Sequence, residues 1–355
     1  MTGTVMPRFI QEARTNSPLA KLNVSSGGTA HMLWLKLETR NPTGSVKHRT
    51  ALGLLASLDA QSPLAPGTRV VESTSGNLGL ALARTLRDLD CQLVAVVDPK
   101  VPRSTRALLE AEGAELVPVT EPDVYGGYLL TRLAKVRELR LADPRLRWPD
   151  QYHNPANPGI HRDTLAEELV RQTGGRLDTV LVAVSTGGTL VGISEGLRAV
   201  APAVRIYAVD AYGSVVTADA GTPHLLTGVG ASRKSSFLHR RHFERAIRIT
   251  DVRAFAFSRM LAEDTGLAVG GSAGAVLAAF AKLAAGGSPG RHPVAVVADG
   301  GANYRSTFYD DGWLAARGVL ERVLATEATA RANGLGFDLE LDPEVHPDFH
   351  PDKGR

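Results

Sequence analysis

The chain has one cysteine, Cys91, so no disulfide can form within it. A lone thiol inside the apolar run "CQLVAVV" reads as a buried strand residue rather than a nucleophile. No apolar run reaches membrane-spanning length, and the opening residues, "MTGTVMPRFIQEARTN", lack the apolar core of a secretory signal. Together these absences set the expectation of a soluble cytoplasmic protein. An excess of one charge is also missing. Forty basic residues stand against 37 acidic ones, a net of +3, and the arginines are scattered. That argues against a nucleic-acid or anionic-membrane surface. The densest basic stretch, "FLHRRHFER" at 237–245, reads as a solvated helix face. No internal repeat is present.

What the sequence has is alternation. Short apolar runs ("TRVVES", "QLVAVVD", "DTVLVAVS", "RIYAVDA", "PVAVVADG") are separated by helical patterns such as "LGLALARTLRDL" and "LVGISEGLRAVA". Strands apolar throughout, alternating with helices, predict parallel sheets covered on both faces. With 355 residues, 43% hydrophobic and 22% charged, an α/β enzyme of two lobes is the expected class, each lobe a mostly parallel sheet flanked by helices. The spacing places a smaller α/β domain over 42–153 and a larger one over 1–41 plus 154–325. Residues 326–355 are expected to finish a helix and then run out as a polar tail, since "GFDLELDPEVHPDFHPDKGR" is acidic and carries prolines.

Three loops carry chemistry. In "NPTGSVKHRT" Asn41, Pro42 and Gly44 punctuate the backbone and Ser45 is placed to cap a helix. Lys47 then falls in the first turn, where the helix dipole disfavours a cation. In "VSTGGTLVG", Ser185, Thr186, Gly187, Gly188 and Thr189 gather amides and hydroxyls at a strand–helix junction. That is a cradle for an anion such as phosphate, or a tight turn that needs glycine. In "ESTSGNLG", Ser73, Thr74, Ser75 and Asn77 crowd another helix start, suited to a carboxylate or to ordinary capping. A lysine set apart from a phosphate cradle points to a Schiff base with pyridoxal 5'-phosphate; an exposed lysine is the alternative for Lys47 taken alone.

The segments "NPTGSVKHR", "TSGNLG", "STGGT" and "GGSAGA" stand in the order and spacing of the cysteine synthase/cystathionine β-synthase family, fold-type II pyridoxal-phosphate enzymes, which the chain resembles over about residues 15–315. That resemblance implies a tryptophan synthase β-like fold, with the smaller domain mobile and the larger one anchoring the cofactor, and a homodimer. It implies that Lys47 carries the cofactor, Asn77 meets its ring hydroxyl, Ser185 to Thr189 hold its phosphate and Ser272 faces the pyridine nitrogen. It further implies that Thr74, Ser75, Gly76 and Asn77, with Ser73 and Gln151, bind the substrate carboxylate. A serine hydroxyl cannot hold a pyridine protonated as a carboxylate would, so the ring is a weaker electron sink, the setting for β-elimination and β-replacement.

Within the family, "VESTSGNLGLALA", "EPDVYGGYLLTRLAKVREL", "DQYHN" and "GVGASR" are similar to the N-(2-amino-2-carboxyethyl)-L-glutamate synthases, which join O-phospho-L-serine to the amino group of L-glutamate. Those enzymes supply 2,3-diaminopropionate for siderophore and antibiotic biosynthesis. By that resemblance Arg132, Tyr152 and Ser185 take glutamate. Arg233 is the candidate for the phosphoserine phosphate, because a bidentate guanidinium suits it. Rival readings are a cysteine synthase using phosphoserine or acetylserine, the same reaction with aspartate, a serine/threonine dehydratase, and a non-catalytic protein that binds a phosphorylated ligand. Two departures from the family pattern stand out: His48 replaces the usual aspartate after the lysine, and "ADGGANYRST" carries Ala302 and Asn303 in place of a charged pair.

Overall fold

The structure, a computed structural model, describes residues 8–74 and 76–340. The apolar runs form ten strands among them. These are β1 (Leu19–Ser26), β2 (Thr29–Leu37), β3 (Arg69–Ser73), β4 (Gln92–Val97), β5 (Glu115–Pro118), β6 (Thr179–Ala183), β7 (Arg205–Ala211), β8 (Arg245–Ile249), β9 (Pro293–Val297) and β10 (Gly336–Glu340). The longer helices are α1 (Lys47–Gln61), α2 (Asn77–Arg87), α3 (Arg103–Ala111), α4 (Leu129–Ala142), α5 (Gly188–Val200), α6 (Asp251–Thr265), α7 (Gly271–Ala285) and α8 (Leu320–Ala332).

Two sheets result, as the alternation predicts. One has the order β3-β4-β5, and both of its pairings are parallel. The other has the order β10-β1-β2-β9-β6-β7-β8, parallel from β2 to β8. Its central strand β9 is buried at all five positions; α7 packs over it, and α6 packs on α7 and on β10, with Phe255, Phe257 and Phe280 in the shared core. Burial on both faces is why these strands read as continuous apolar runs.

Three local expectations are corrected. Residues 336–340 are not a tail: they form β10, antiparallel to β1, with Phe337 buried. The period-2 pattern of Phe337 and Leu339 between polar neighbours is a strand signal that the acidic composition obscures. Residues 341–355, the rest of that expected tail, lie outside the described residues. Ser45 does not cap α1, because the helix starts one residue later than a Ser45 cap requires; Val46 holds the N-cap, and the Ser45 hydroxyl is buried without a partner. The basic stretch at 237–245 is no helix face but a single 3-10 turn, Arg240–His242, leading into β8.

In parallel sheets ligands bind outside the carboxyl ends of the strands. Here the loops after β3, β4, β6 and β9 open on one region. The Lys47 turn is tied to it: Val46 N–H donates to Ala298 O at 2.7 Å, and Ser45 bridges to Asp299.

Candidate active site

A cavity of about 550 Å³ opens there. Of the residues singled out from sequence, its wall includes Lys47, Ser73, Thr74, Gly76, Asn77, Arg132, Gln151, Tyr152 and Ser185. Ser75 lies outside the described residues. Arg233 is not in the wall. Its guanidinium lies over the Tyr152 ring, 5.8 Å from the centroid, and donates to His153 Nε2 at 2.9 Å. The loop carrying it is tied to the 150–154 turn, where the Ser236 amide donates to Tyr152 O at 3.0 Å. Thr186, Gly187, Gly188, Thr189 and Ser272 are not in the wall either, but they follow directly on Ser185 and Gly271, which are.

Of the helices that start at this region, three have glycine at the N-cap: Gly76 before α2, Gly187 before α5 and Gly270 before α7. Gly76 sits at φ 147° and Gly187 at φ 85°, conformations that favour glycine. A Cβ at Gly188 would lie 2.0 Å from Asn157 Oδ1, so no side chain fits between α5 and that amide. The Thr74 hydroxyl accepts from the Gly76 and Gly79 amides at 3.1 and 2.9 Å, so one of the clustered hydroxyls does act as a cap. The Ser73 hydroxyl, by contrast, is buried in the wall without a partner. Gln151 Nε2 donates to Ser73 O at 2.9 Å and fixes that strand end.

The electrostatics follow from burial. Desolvation draws Lys47 down to about 8, against the pull of Glu72 and Asp299. Desolvation raises Glu72 to about 7, although the Ser73 and Gln151 amides donate to it. Tyr152 is pushed up to about 12 by its burial. Asp299, also raised by burial, is the residue that sequence reading missed. It accepts from Asn77 Nδ2 at 2.7 Å, Tyr304 Oη at 2.5 Å and Ser272 Oγ at 3.3 Å. One carboxyl therefore joins both residues expected to touch the cofactor ring. The signal was an acid placed at the carboxyl end of a wholly apolar strand. Asn303, one of the two departures, donates to Asn77 Oδ1 at 3.1 Å. The other, His48, is buried with neither ring nitrogen hydrogen-bonded, and burial lowers its pKa.

Six basic side chains line the cavity, Lys47, Lys100, Arg103, Arg106, Arg132 and Arg317, and no acidic residue does among the described residues. Arg132 is only 8% exposed. Its Nε lies 3.2 Å from Asp98 Oδ2, close enough for an ion pair but not aligned for a hydrogen bond, and its Nη1 has no acceptor. A buried guanidinium left this way calls for an anion.

Residues 10–300 match the family described as pyridoxal-phosphate dependent enzyme. This chain belongs to that family. It is 38% identical over 311 residues, 88% of the chain and 92% of the relative, to the N-(2-amino-2-carboxyethyl)-L-glutamate synthase of Ralstonia nicotianae. Among solved structures it is similar to O-ureido-L-serine synthase, with a TM-score of 0.76 and 31% identity over 86% of this chain and 98% of that one. It is also similar to the O-acetylserine dependent cystathionine β-synthase of Helicobacter pylori, with a TM-score of 0.74 and 27% identity over 84% and 97%.

The family's cofactor suits the residues present. A phosphate needs donors only, and the start of α5 offers its first-turn amides with the Thr186 and Thr189 hydroxyls. Lys47 offers an amine that is already partly neutral near pH 8. Asn77 and Ser272 stand together through Asp299.

Proposed function

We propose that this chain catalyses a β-replacement that joins O-phospho-L-serine to the amino group of L-glutamate, giving N-(2-amino-2-carboxyethyl)-L-glutamate and phosphate, a step toward 2,3-diaminopropionate. The observation that carries this reading is the cavity wall, five cations besides Lys47 and no acid. Phosphoserine brings a phosphate and a carboxylate, and glutamate brings two carboxylates. Sulfide, the acceptor of a cysteine synthase, needs no such wall. The name of the Ralstonia relative supports the same reaction.

Bound pyridoxal phosphate supplies an aldehyde that condenses with amines and a conjugated ring that takes up electron density from the substrate Cα. The chain's own residues do the rest. Lys47 Nζ, desolvated and drawn toward neutrality, takes the Cα proton as general base and later returns it. The start of α2, held by the Thr74 hydroxyl on the Gly76 and Gly79 amides, presents the first-turn amides of Asn77 and Leu78 to the α-carboxylate. Arg132 offers its unpartnered Nη1 to a glutamate carboxylate, and Tyr152 and Ser185 flank it. Exclusion of water protects against loss of the three-carbon unit as pyruvate. We further infer that the protein acts as a homodimer in the cytoplasm.

A nucleophile screen tests the reading: purified protein with phosphoserine and, in turn, glutamate, aspartate and sulfide, read by mass spectrometry. The expected outcome is a product with glutamate alone. Arg132→Ala should raise the glutamate KM about 10- to 100-fold, in line with a lost charged hydrogen bond of about 1.5–3 kcal/mol. Cysteine formation with no glutamate adduct would refute the assignment.

A further inference from the structure

We propose that the turn from β4 into α3, Pro99–Arg106, is the subsite that holds the phosphoryl group of the donor. The proposal rests on the reading that the donor is a phosphorylated serine. It replaces Arg233, which the fold turns toward Tyr152 and His153.

The first observation is a helix that begins with the wrong charges. Arg103 and Arg106 both lie in the first turn of α3, no acidic residue accompanies them, and the N-cap is Pro102, which offers no side-chain cap. Two cations there oppose the helix dipole and each other. Arg103 is exposed and makes no ion pair or hydrogen bond among the described residues. An arrangement this unfavourable in isolation is relieved by an anion seated among the side chains and first-turn amides.

The second observation is how the turn is held. Asp98, 4% exposed, is its hub. Its Oδ1 accepts the Lys100 amide at 2.8 Å, its Oδ2 lies 3.2 Å from Arg132 Nε, and its backbone O accepts from Arg106 Nη2 at 2.8 Å. Arg106 Nε donates to Val101 O at 3.2 Å, which fixes that guanidinium along the turn. One carboxylate thus organises a wall that also carries Lys100 and Arg103, all of it facing the cavity. The local balance stays strongly positive.

The third observation is Arg132, nine-tenths buried in the same wall with Nη1 lacking an acceptor. Phosphate leaves before the glutamate amine adds, so Nη1 can meet a phosphate oxygen first and a glutamate carboxylate afterwards. The remaining cations suit a group with more charge and more oxygens, which a phosphate dianion supplies. Every polar group contributed by these four side chains is a donor, so the ligand must be an ionised oxyanion rather than a hydroxyl or amide.

The test uses the holoenzyme and the double substitution Lys100→Ala with Arg103→Ala, both at exposed positions. Binding of inorganic phosphate alone is measured by calorimetry, and KM is measured for O-phospho-L-serine and for O-acetyl-L-serine, whose ester group carries no charge in the bound substrate. The expected result is phosphate binding weakened at least tenfold, with the phosphoserine KM rising at least tenfold more than the acetylserine KM. Lys100→Arg with Arg103→Lys, which keeps both charges, should recover most of each loss. Unchanged phosphate affinity, or the two KM values moving together, would overturn the proposal. The phosphate measurement needs no acceptor, so it stands or fails separately from the glutamate assignment.

Discussion

Two buried groups of charges lie within a few residues of each other and are built in opposite ways. Behind α1, Lys36, Glu38, Arg49 and Glu168 form a closed network with two charges of each sign. Arg49 donates to Glu38 Oε2 and Glu168 Oε2 at 2.8 Å and to Ala13 O at 2.8 Å; Lys36 reaches Glu168 Oε2 at 2.7 Å; Ser17 closes on Glu38 at 2.5 Å. In front of α1, the cavity keeps Lys47 and the Ser73 hydroxyl without such partners, and Arg132, though paired with Asp98, has no hydrogen-bond acceptor for its Nη1. A satisfied cluster fixes architecture, and an unsatisfied one is shaped for something that arrives. Lys47 and Arg49 make the contrast sharp: two cations two residues apart on one helix, one exposed to the site and one locked behind it.

The largest expected break in this comparison is functional. Lys47→Ala should lower turnover by about 10⁴-fold and remove borohydride-stable cofactor attachment, with the melting temperature nearly unchanged. A variant that kept most of its turnover would remove Lys47 from the chemistry. Next comes Arg49→Ala, which should cost about 3–5 kcal/mol of stability in urea unfolding, because Glu38 and Glu168 lose their shared partner in a dry interior. A loss below about 1 kcal/mol would mean that the network is not structural.

The smallest effect, and the most discriminating, is in pH. The Arg49 and Lys36 charges, with hydrogen bonds from Arg49 and Ser17, overcome the cost of burial and hold Glu38 at about 2, so its contribution is full above its unfolded value of 4.5 and is lost as pH falls toward 2. Burial holds Glu72 at about 7, so the folded state binds its proton more tightly, and stability rises as pH falls from 7 toward 4.5. Urea midpoints at pH 7, 5 and 3 should therefore rise and then fall. Glu72→Gln should flatten the rise, and Glu38→Gln should soften the fall. The same direction of change across both intervals would contradict the contrast between the two regions.

Much of the fold was legible because parallel strands buried on both faces leave an unmistakable apolar run, and because Gly76 and Gly187 occupy backbone conformations that favour glycine. The site loops followed from the same strand ends. Asp299 and Asp98 were not legible, since a single acid after a strand looks like any loop residue until the chain brings Asn77, Ser272 and Arg132 to it from distant positions. Arg233 was chosen on side-chain chemistry alone, and its guanidinium is engaged by Tyr152 and His153 instead of lining the cavity. Phe337 was hidden by composition, acidic neighbours outweighing a two-residue alternation.

That last strand has a practical corollary. Because β10 zips onto β1, it shields a row of backbone amides and carbonyls that would otherwise invite pairing with a stranger. Shortening the protein at the close of α8 would strip this guard and leave a sticky selvedge on the seven-stranded sheet, whereas appendages placed after Glu340 leave the hem intact.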